Sequence, residues 1–183
     1  MLKISSVAIL FVLVFHVTAK AVESSPYAGQ EQREIKALSA DEIQSYLAGK
    51  GAGFAKAAEL NHYPGPAHVL ELANSLQLSE EQKARTQSIF DAMQKEAVRQ
   101  GKALVEKERE LDRLFATGKV TEDSLRVTVR EIGALQAEVR RAHLQAHVEQ
   151  QAVLTKTQIA KYNELRGYVS KNGQMHGGHS HSH

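Results

Sequence analysis

The stretch EEQKARTQSIFDAMQKEAVRQGKALVEKERELDRLFA, Glu80–Ala116, decides the fold. It holds no proline, and its single glycine, Gly101, sits mid-run. Phe90, Ala97, Leu104 and Leu111 recur at a helical spacing close to a heptad, with Met93 and Leu114 on the neighbouring seam. Thr117-Gly118-Lys119-Val120 breaks the run. Thr121-Glu122-Asp123 restarts it, with a capping threonine and two acids in the turn where the helix dipole favours them. The second run repeats the seam at Leu125, Ile132, Val139, Ala146 and Val153. Two helices of about 35 residues, at ~1.5 Å per residue, each span roughly 50 Å. Joined by a short turn, they are expected to pack antiparallel, which predicts an all-α fold built on a long helical hairpin.

That seam is one or two residues wide, and the outer faces carry charges such as Lys102, Glu106, Glu110, Arg126 and Arg140. A stripe so narrow needs cover. Short helices ahead of the hairpin and a second subunit are both expected to supply it, so a homodimer is predicted. Ser39-Ala40-Asp41-Glu42 reads as a capping box opening a helix through Leu47, stopped by Gly49-Lys50-Gly51. Gly53–Leu60 is a second short helical stretch. Pro66 suits the first turn of a third, with Val69, Leu70 and Ala73 on one face. Residues 22–38 are polar and are expected to be poorly ordered at their start.

The N-terminus has the pattern of a secretory leader. Lys3 precedes an apolar run from Ile4 to Val17, and the small residues Thr18-Ala19-Lys20-Ala21 close it. Cleavage after Ala21 is expected, leaving no membrane span, with an uncleaved anchor as the alternative. No cysteine follows the run, which excludes a lipid-modified start. The 183 residues thus divide into a leader (1–21), a polar segment with short helices (22–63), the hairpin domain (64–168) and a histidine-rich tail (169–183). The whole chain has 23 basic and 21 acidic residues; loss of Lys3 and Lys20 balances them, so no nucleic-acid partner is implied. With no cysteine there is no disulfide, and stability must come from packing, assembly or ligand binding. The absence of tryptophan weakens a carbohydrate- or base-stacking role.

Two pentapeptides flank the hairpin: LSEEQ at Leu78–Gln82 and LTKTQ at Leu154–Gln158. Ser79 with Gln82, and Thr155 with Gln158, each fit a capping box, and Leu78 and Leu154 occupy the staple position ahead of the cap. The staple partners would be Lys83, which offers only an aliphatic stem, and Ile159, a good match. A turn near Gly118 places both motifs at the same open end of the hairpin.

A leucine-hydroxyl-x-x-glutamine pair around a long helical hairpin, behind a leader, resembles the LTxxQ proteins of the bacterial envelope. These comprise the Spy/CpxP group and the related ZraP- and CnrX-type heavy-metal resistance and sensor proteins. The similarity covers roughly Pro64 to Tyr168, with Ser79 standing where the family often has threonine. The resemblance implies a helical, often dimeric periplasmic protein that works without ATP or catalysis. Such proteins shield unfolded clients, restrain a sensor kinase or bind transition metals.

Metal chemistry has two candidate homes. His143 and His147, four apart, share one helix face and could chelate one ion. A third ligand would have to come from across the hairpin, where Asp91 or Met93 is nearest, or from another subunit. The same pair also reads as two solvated side chains on a charged face. CnrX-like sensors are similar in using a His-x-x-x-His helix pair. The tail offers Met175, His176, His179, His181 and His183, spaced by glycine and serine. Such a segment can wrap Zn(II), Cu(II) or Ni(II), and the methionine would suit Cu(I). Its His-Gly-Gly-His element is similar to terminal metal-binding segments of ZraP-type proteins, at a different place in the chain. His62 and His68, flanking the Pro-Gly-Pro turn, read as structural.

No enzyme signature is present: no cysteine nucleophile, no GxSxG, no phosphate loop and no HExxH. The sequence therefore predicts a non-enzymatic metal-binding stress protein. A client-binding chaperone is the chief alternative, with Arg99, Arg109, Arg113 and Arg130 beside apolar patches; a regulator docking on a sensor kinase is another.

Overall fold

The computed structural model describes residues 24–168. The chain falls into two units, Met1–Glu31 and Gln32–His183. The described part of the first is a run of turns, closed by the Ala28 amide on the Ser25 carbonyl and the Gln30 amide on that of Tyr27. The second unit is helical, and the described residues contain no strand. Its elements are α1 (Ala40–Leu47), α2 (Lys56–Glu59), α3 (Pro66–Glu71), α4 (Glu80–Ala116), α5 (Glu122–Gln151) and α6 (Lys156–Leu165).

The two long helices, α4 and α5, pack on each other. Contacts between the two runs advance along one as they retreat along the other. Thr86 accepts from Gln150 at 3.1 Å, Glu96 lies 4.0 Å from Arg141, and Lys107 binds Glu131 at 2.8 Å. Ala97 and Leu104 of one helix, and Ile132, Val139 and Ala146 of the other, are buried at their interface positions. The interface is not wholly apolar, because Thr86 and Gln150 are both fully buried and bonded to one another. Ile89, and not Phe90, is the buried residue of its turn; Phe90 is half-buried.

The expected seam fails near the turn. Leu125 is 37 % exposed, with Phe115 and Val129 more so, while Thr128 is buried. Two helices touching along a line bury only that line, and the two apolar clusters lie elsewhere. One joins Ile35, Leu38 and Ile43 to Val105, with Tyr46 and Leu47 packed against it. The end of the polar N-terminal segment thus packs on α4: Ile35 is fully buried, and Lys36 binds Asp112 at 3.2 Å. Gly101 explains why a glycine is tolerated in the middle of a 37-residue helix. A Cβ there would strike the Tyr46 carbonyl, lying 2.9 Å from its carbon, so the C-terminal end of α1 rests directly on the α4 backbone.

The second cluster, Val69, Leu76, Leu78, Leu154 and Tyr162, gathers around the two pentapeptides. Both capping boxes are formed. Ser79 accepts from the Gln82 amide and Thr155 from the Gln158 amide, and each glutamine Oε1 accepts in return from its own cap backbone at 3.1 and 2.9 Å. Leu78 packs in this cluster and Lys83 turns away to Glu80, so the first motif has no staple of the expected kind. Ile159 does lie against the cluster that holds Leu154.

The glutamines have a second task. Gln82 Nε2 donates to the Val153 carbonyl at 3.0 Å and to Gln158 Oε1 at 2.9 Å. Gln158 Nε2 donates to the Leu76 carbonyl at 3.2 Å and to Gln82 Oε1 at 3.0 Å. Each amide thus accepts at home and donates across, joining the starts of α4 and α6. Glutamate could do the first task but has no donor for the second.

Candidate metal centre

His143 and His147 lie on the face of α5 covered by α2 and by the chain on either side of it. Neither is solvated. They are 4 % and 7 % exposed, which overturns the reading of a polar outer face. Sequence periodicity suggested the charged face because Arg140, Arg141, Gln145 and Glu149 are interleaved with them, and those residues do point outward or stay on the rim.

Each imidazole is held differently. His147 Nδ1 lies 2.8 Å from the Tyr63 carbonyl, an acceptor, so Nδ1 carries a proton, and a ring with one proton has its lone pair on Nε2. That ring has room only because residue 65 is glycine: a Cβ there would come within 2.9 Å of its Cε1 and 3.1 Å of its Nε2. His143 stacks on Phe54, with ring centroids 6.2 Å apart and planes inclined by 11°. Its Nε2 is buried with no hydrogen-bond partner. Burial, with a smaller contribution from His147, holds its pKa below the ordinary histidine value and favours the neutral ring.

Both rings line a cavity of about 570 Å³, together with residues 48–53 and with Phe90 and Met93 of α4. Met93 is thus on the same cavity as the histidine pair. Asp91, the other third-ligand candidate, is exposed and accepts from Gln87 instead. Among the described residues no group of three or more His, Cys, Asp or Glu side chains is gathered as a metal cage. Two imidazoles and a thioether suit a borderline or soft transition ion, but a zinc site takes four ligands. The donor set fits part of a coordination sphere.

The cavity rim contains a node no local pattern announces. Glu59 Oε1 accepts from Tyr162 at 2.6 Å, Tyr168 at 2.9 Å and Arg166 Nε at 3.3 Å, while Oε2 lies 3.7 Å from His147 Nδ1. Tyr162 also accepts from the Gly65 amide at 3.3 Å. Burial first, then the hydrogen bond to Glu59, pushes both phenol pKa values up, so the rings stay protonated donors. The node ties α2 to the chain leaving α6, across more than a hundred residues of sequence.

The remaining candidates are dispersed. Arg99 binds Glu96 at 2.7 Å, and Arg109 binds both Glu106 and Glu34, so these two guanidiniums are neutralised locally. Arg113 and Arg130 are exposed near the turn between α4 and α5. His68 pairs with Glu71 at 3.0 Å and lines the same cavity; His62 adopts a positive φ of 66° in a turn. Met175, His176, His179, His181 and His183, like the leader at 1–21, lie outside the described residues. No helix of the described residues is long and apolar enough to cross a membrane. No family model, no curated protein and no solved structure matches the chain.

Proposed function

We propose that this chain is a non-enzymatic, exported, periplasmic stress protein of the LTxxQ type that binds a transition-metal ion such as Zn(II), Cu(II) or Ni(II). On this reading α4 and α5 are the arms of the expected hairpin, and a homodimer completes its exposed end. One observation carries the metal assignment: His143 and His147 are buried together on one cavity wall, and each keeps a nitrogen without a protein partner. The His143 Nε2 bonds nothing, and the Tyr63 carbonyl leaves the His147 Nε2 lone pair available. A buried polar atom left unpaired costs about 1–3 kcal/mol; a bound cation would relieve that cost. Titration of residues 22–183 with zinc in a calorimeter tests the reading. Micromolar or tighter binding is expected, and its absence would remove the assignment.

The exposed apolar residues favour a second reading. Phe115, Leu125, Val127 and Val129 are 57, 37, 48 and 49 % exposed at the turn end, beside Arg113 and Arg130. Apolar surface rimmed by charge is what an ATP-independent chaperone uses to hold an unfolded chain. Suppression of client aggregation in the absence of metal, surviving replacement of the histidines, would favour this reading over the first.

A further inference from the structure

The cavity lined by His143 and His147 is larger than an ion between two imidazoles requires. Its volume of about 570 Å³ lies in the range of roughly 300–1,000 Å³ typical of sites for small organic molecules. Leu60, Pro66, Phe90 and Met93 give it apolar walls, and the alanines 48, 52, 55 and 67 line it between them. Small residues leave the space open: a Cβ at Gly51 would meet nothing nearer than His143 Nδ1, at 4.0 Å. The backbone of residues 49–53, which also line the cavity, is strained. φ is 62° at Gly49, 38° at Ala52 and 81° at Gly53, and alanine seldom occupies that region. Strain of this kind concentrates at ligand clamps, where the surrounding fold holds it in place.

The charge of the lining is unbalanced. Its lysines and arginine are Lys50, Lys56 and Arg166, and Glu59 is its one carboxylate. Arg166 binds Glu59 at 3.3 Å, and the same oxygen accepts from Tyr162 and Tyr168. Lys50 and Lys56 are left, both exposed and in no ion pair among the described residues. Two ammoniums therefore stand where an apolar space opens to water. From this juxtaposition we infer that the cavity binds a small amphiphilic anion, a carboxylate carried on a short alkyl or aryl body. The body lies against Phe90, Met93 and Leu60, where leaving water drives it in. The head stays at the mouth and accepts charge-assisted bonds from Lys50 and Lys56, whose ammoniums remain hydrated. A neutral body alone leaves the lysines unused, and an organic cation is repelled by them. The inference goes beyond the metal reading and requires no ion.

Sodium octanoate is the probe, titrated calorimetrically into residues 22–183 with EDTA present, so that no metal takes part. One octanoate per chain is expected. A buried methylene is worth about fourfold in affinity, so hexanoate should bind about 15-fold more weakly. A hydrogen bond to a charged group is worth about tenfold or more. Octan-1-ol, with the same body and no charge, should therefore bind at least about tenfold more weakly than octanoate. Octanoate should lose a similar factor against Lys50→Gln with Lys56→Gln. Gly51→Leu fills the space before His143 Nδ1 and should weaken octanoate as well. Should that variant fail to fold, the lysine variant decides, since both its side chains are exposed. Imidazole NMR locates the ligand: His143 signals should shift with octanoate in the metal-free chain. Octanol binding as tightly as octanoate, full affinity in the lysine variant, or unmoved His143 signals overturns the inference. So does an absence of octanoate binding, which leaves the zinc titration as it stands; the two readings fail separately.

Discussion

Replacing Gln82 by glutamate separates two roles that the pentapeptide glutamine combines. A glutamate at this position still accepts from the Ser79 amide, and glutamate is as good as glutamine in a capping box. It loses both cross-chain donations, to the Val153 carbonyl at 3.0 Å and to Gln158 Oε1 at 2.9 Å, and sets a carboxylate oxygen against those two acceptors. A net hydrogen bond is worth about 0.5–1.5 kcal/mol, and a buried acceptor left alone costs about 1–3 kcal/mol. The clasp is only partly buried, so water recovers some of the loss, and the expected destabilisation is about 2–3 kcal/mol. For a domain of this size that corresponds to roughly 5–10 °C in melting temperature. Thermal unfolding followed by circular dichroism measures it. Ser79→Ala is the internal standard: it removes the cap and leaves the cross-chain bonds, at a cost of about 1 kcal/mol. Should Gln82→Glu melt within about 0.5 kcal/mol of the parent, the clasp contributes nothing and the glutamine is a helix cap only.

Other substitutions probe the rest of the fold. Gly101→Ala should destabilise by about 1–3 kcal/mol through its clash with the Tyr46 carbonyl. Gly133→Ala, which meets open space in the middle of α5, should stabilise by roughly 0.5–1 kcal/mol; urea midpoints of the pair read both signs. Glu59→Gln weakens three bonds to a charged acceptor, so a loss of about 1.5–3 kcal/mol is expected by urea unfolding, with Tyr168→Phe losing less. Glu108 is buried, and burial raises its pKa above the usual carboxylate value. The folded state then holds the Glu108 proton more tightly than the unfolded state. Stability from this group is present below the unfolded carboxylate pKa and is lost as pH rises through the folded one. Glu108→Gln should therefore stabilise the protein at neutral pH, and the gain should vanish on acidification; a gain independent of pH would contradict the assignment.

Much of the helical framework was legible in the residues because its signals are local. Ser79, Thr121 and Thr155 each announce a helix start through a bond spanning three residues, and the absence of proline from Glu80 to Ala116 leaves that helix unbroken. The cross-chain use of Gln82 and Gln158 was not legible, since an amide's second bond depends on which backbone lies opposite. The candidate metal centre was visible only as the spacing of His143 and His147. Their burial depends on Phe54, Tyr63 and Gly65, residues about eighty to ninety positions away, in a segment whose glycines gave no periodic signal. Glu59 was equally silent: a lone acid in GFAKAAEL gains its meaning from Tyr162, Arg166 and Tyr168. The turn end misled for the opposite reason. Leu125 kept the heptad rhythm, but rhythm places a residue on a face and does not supply the surface that would bury it.

The account turns on His143 and His147 being metal ligands rather than buried spacers. Histidine-selective NMR of residues 22–183 during a zinc titration tests this directly. The prediction is that the His143 and His147 imidazole resonances shift together and saturate at one zinc per chain, with the His147 Nδ1–H still donating to the Tyr63 carbonyl. Resonances of both rings that remain unmoved while zinc is bound elsewhere would contradict it.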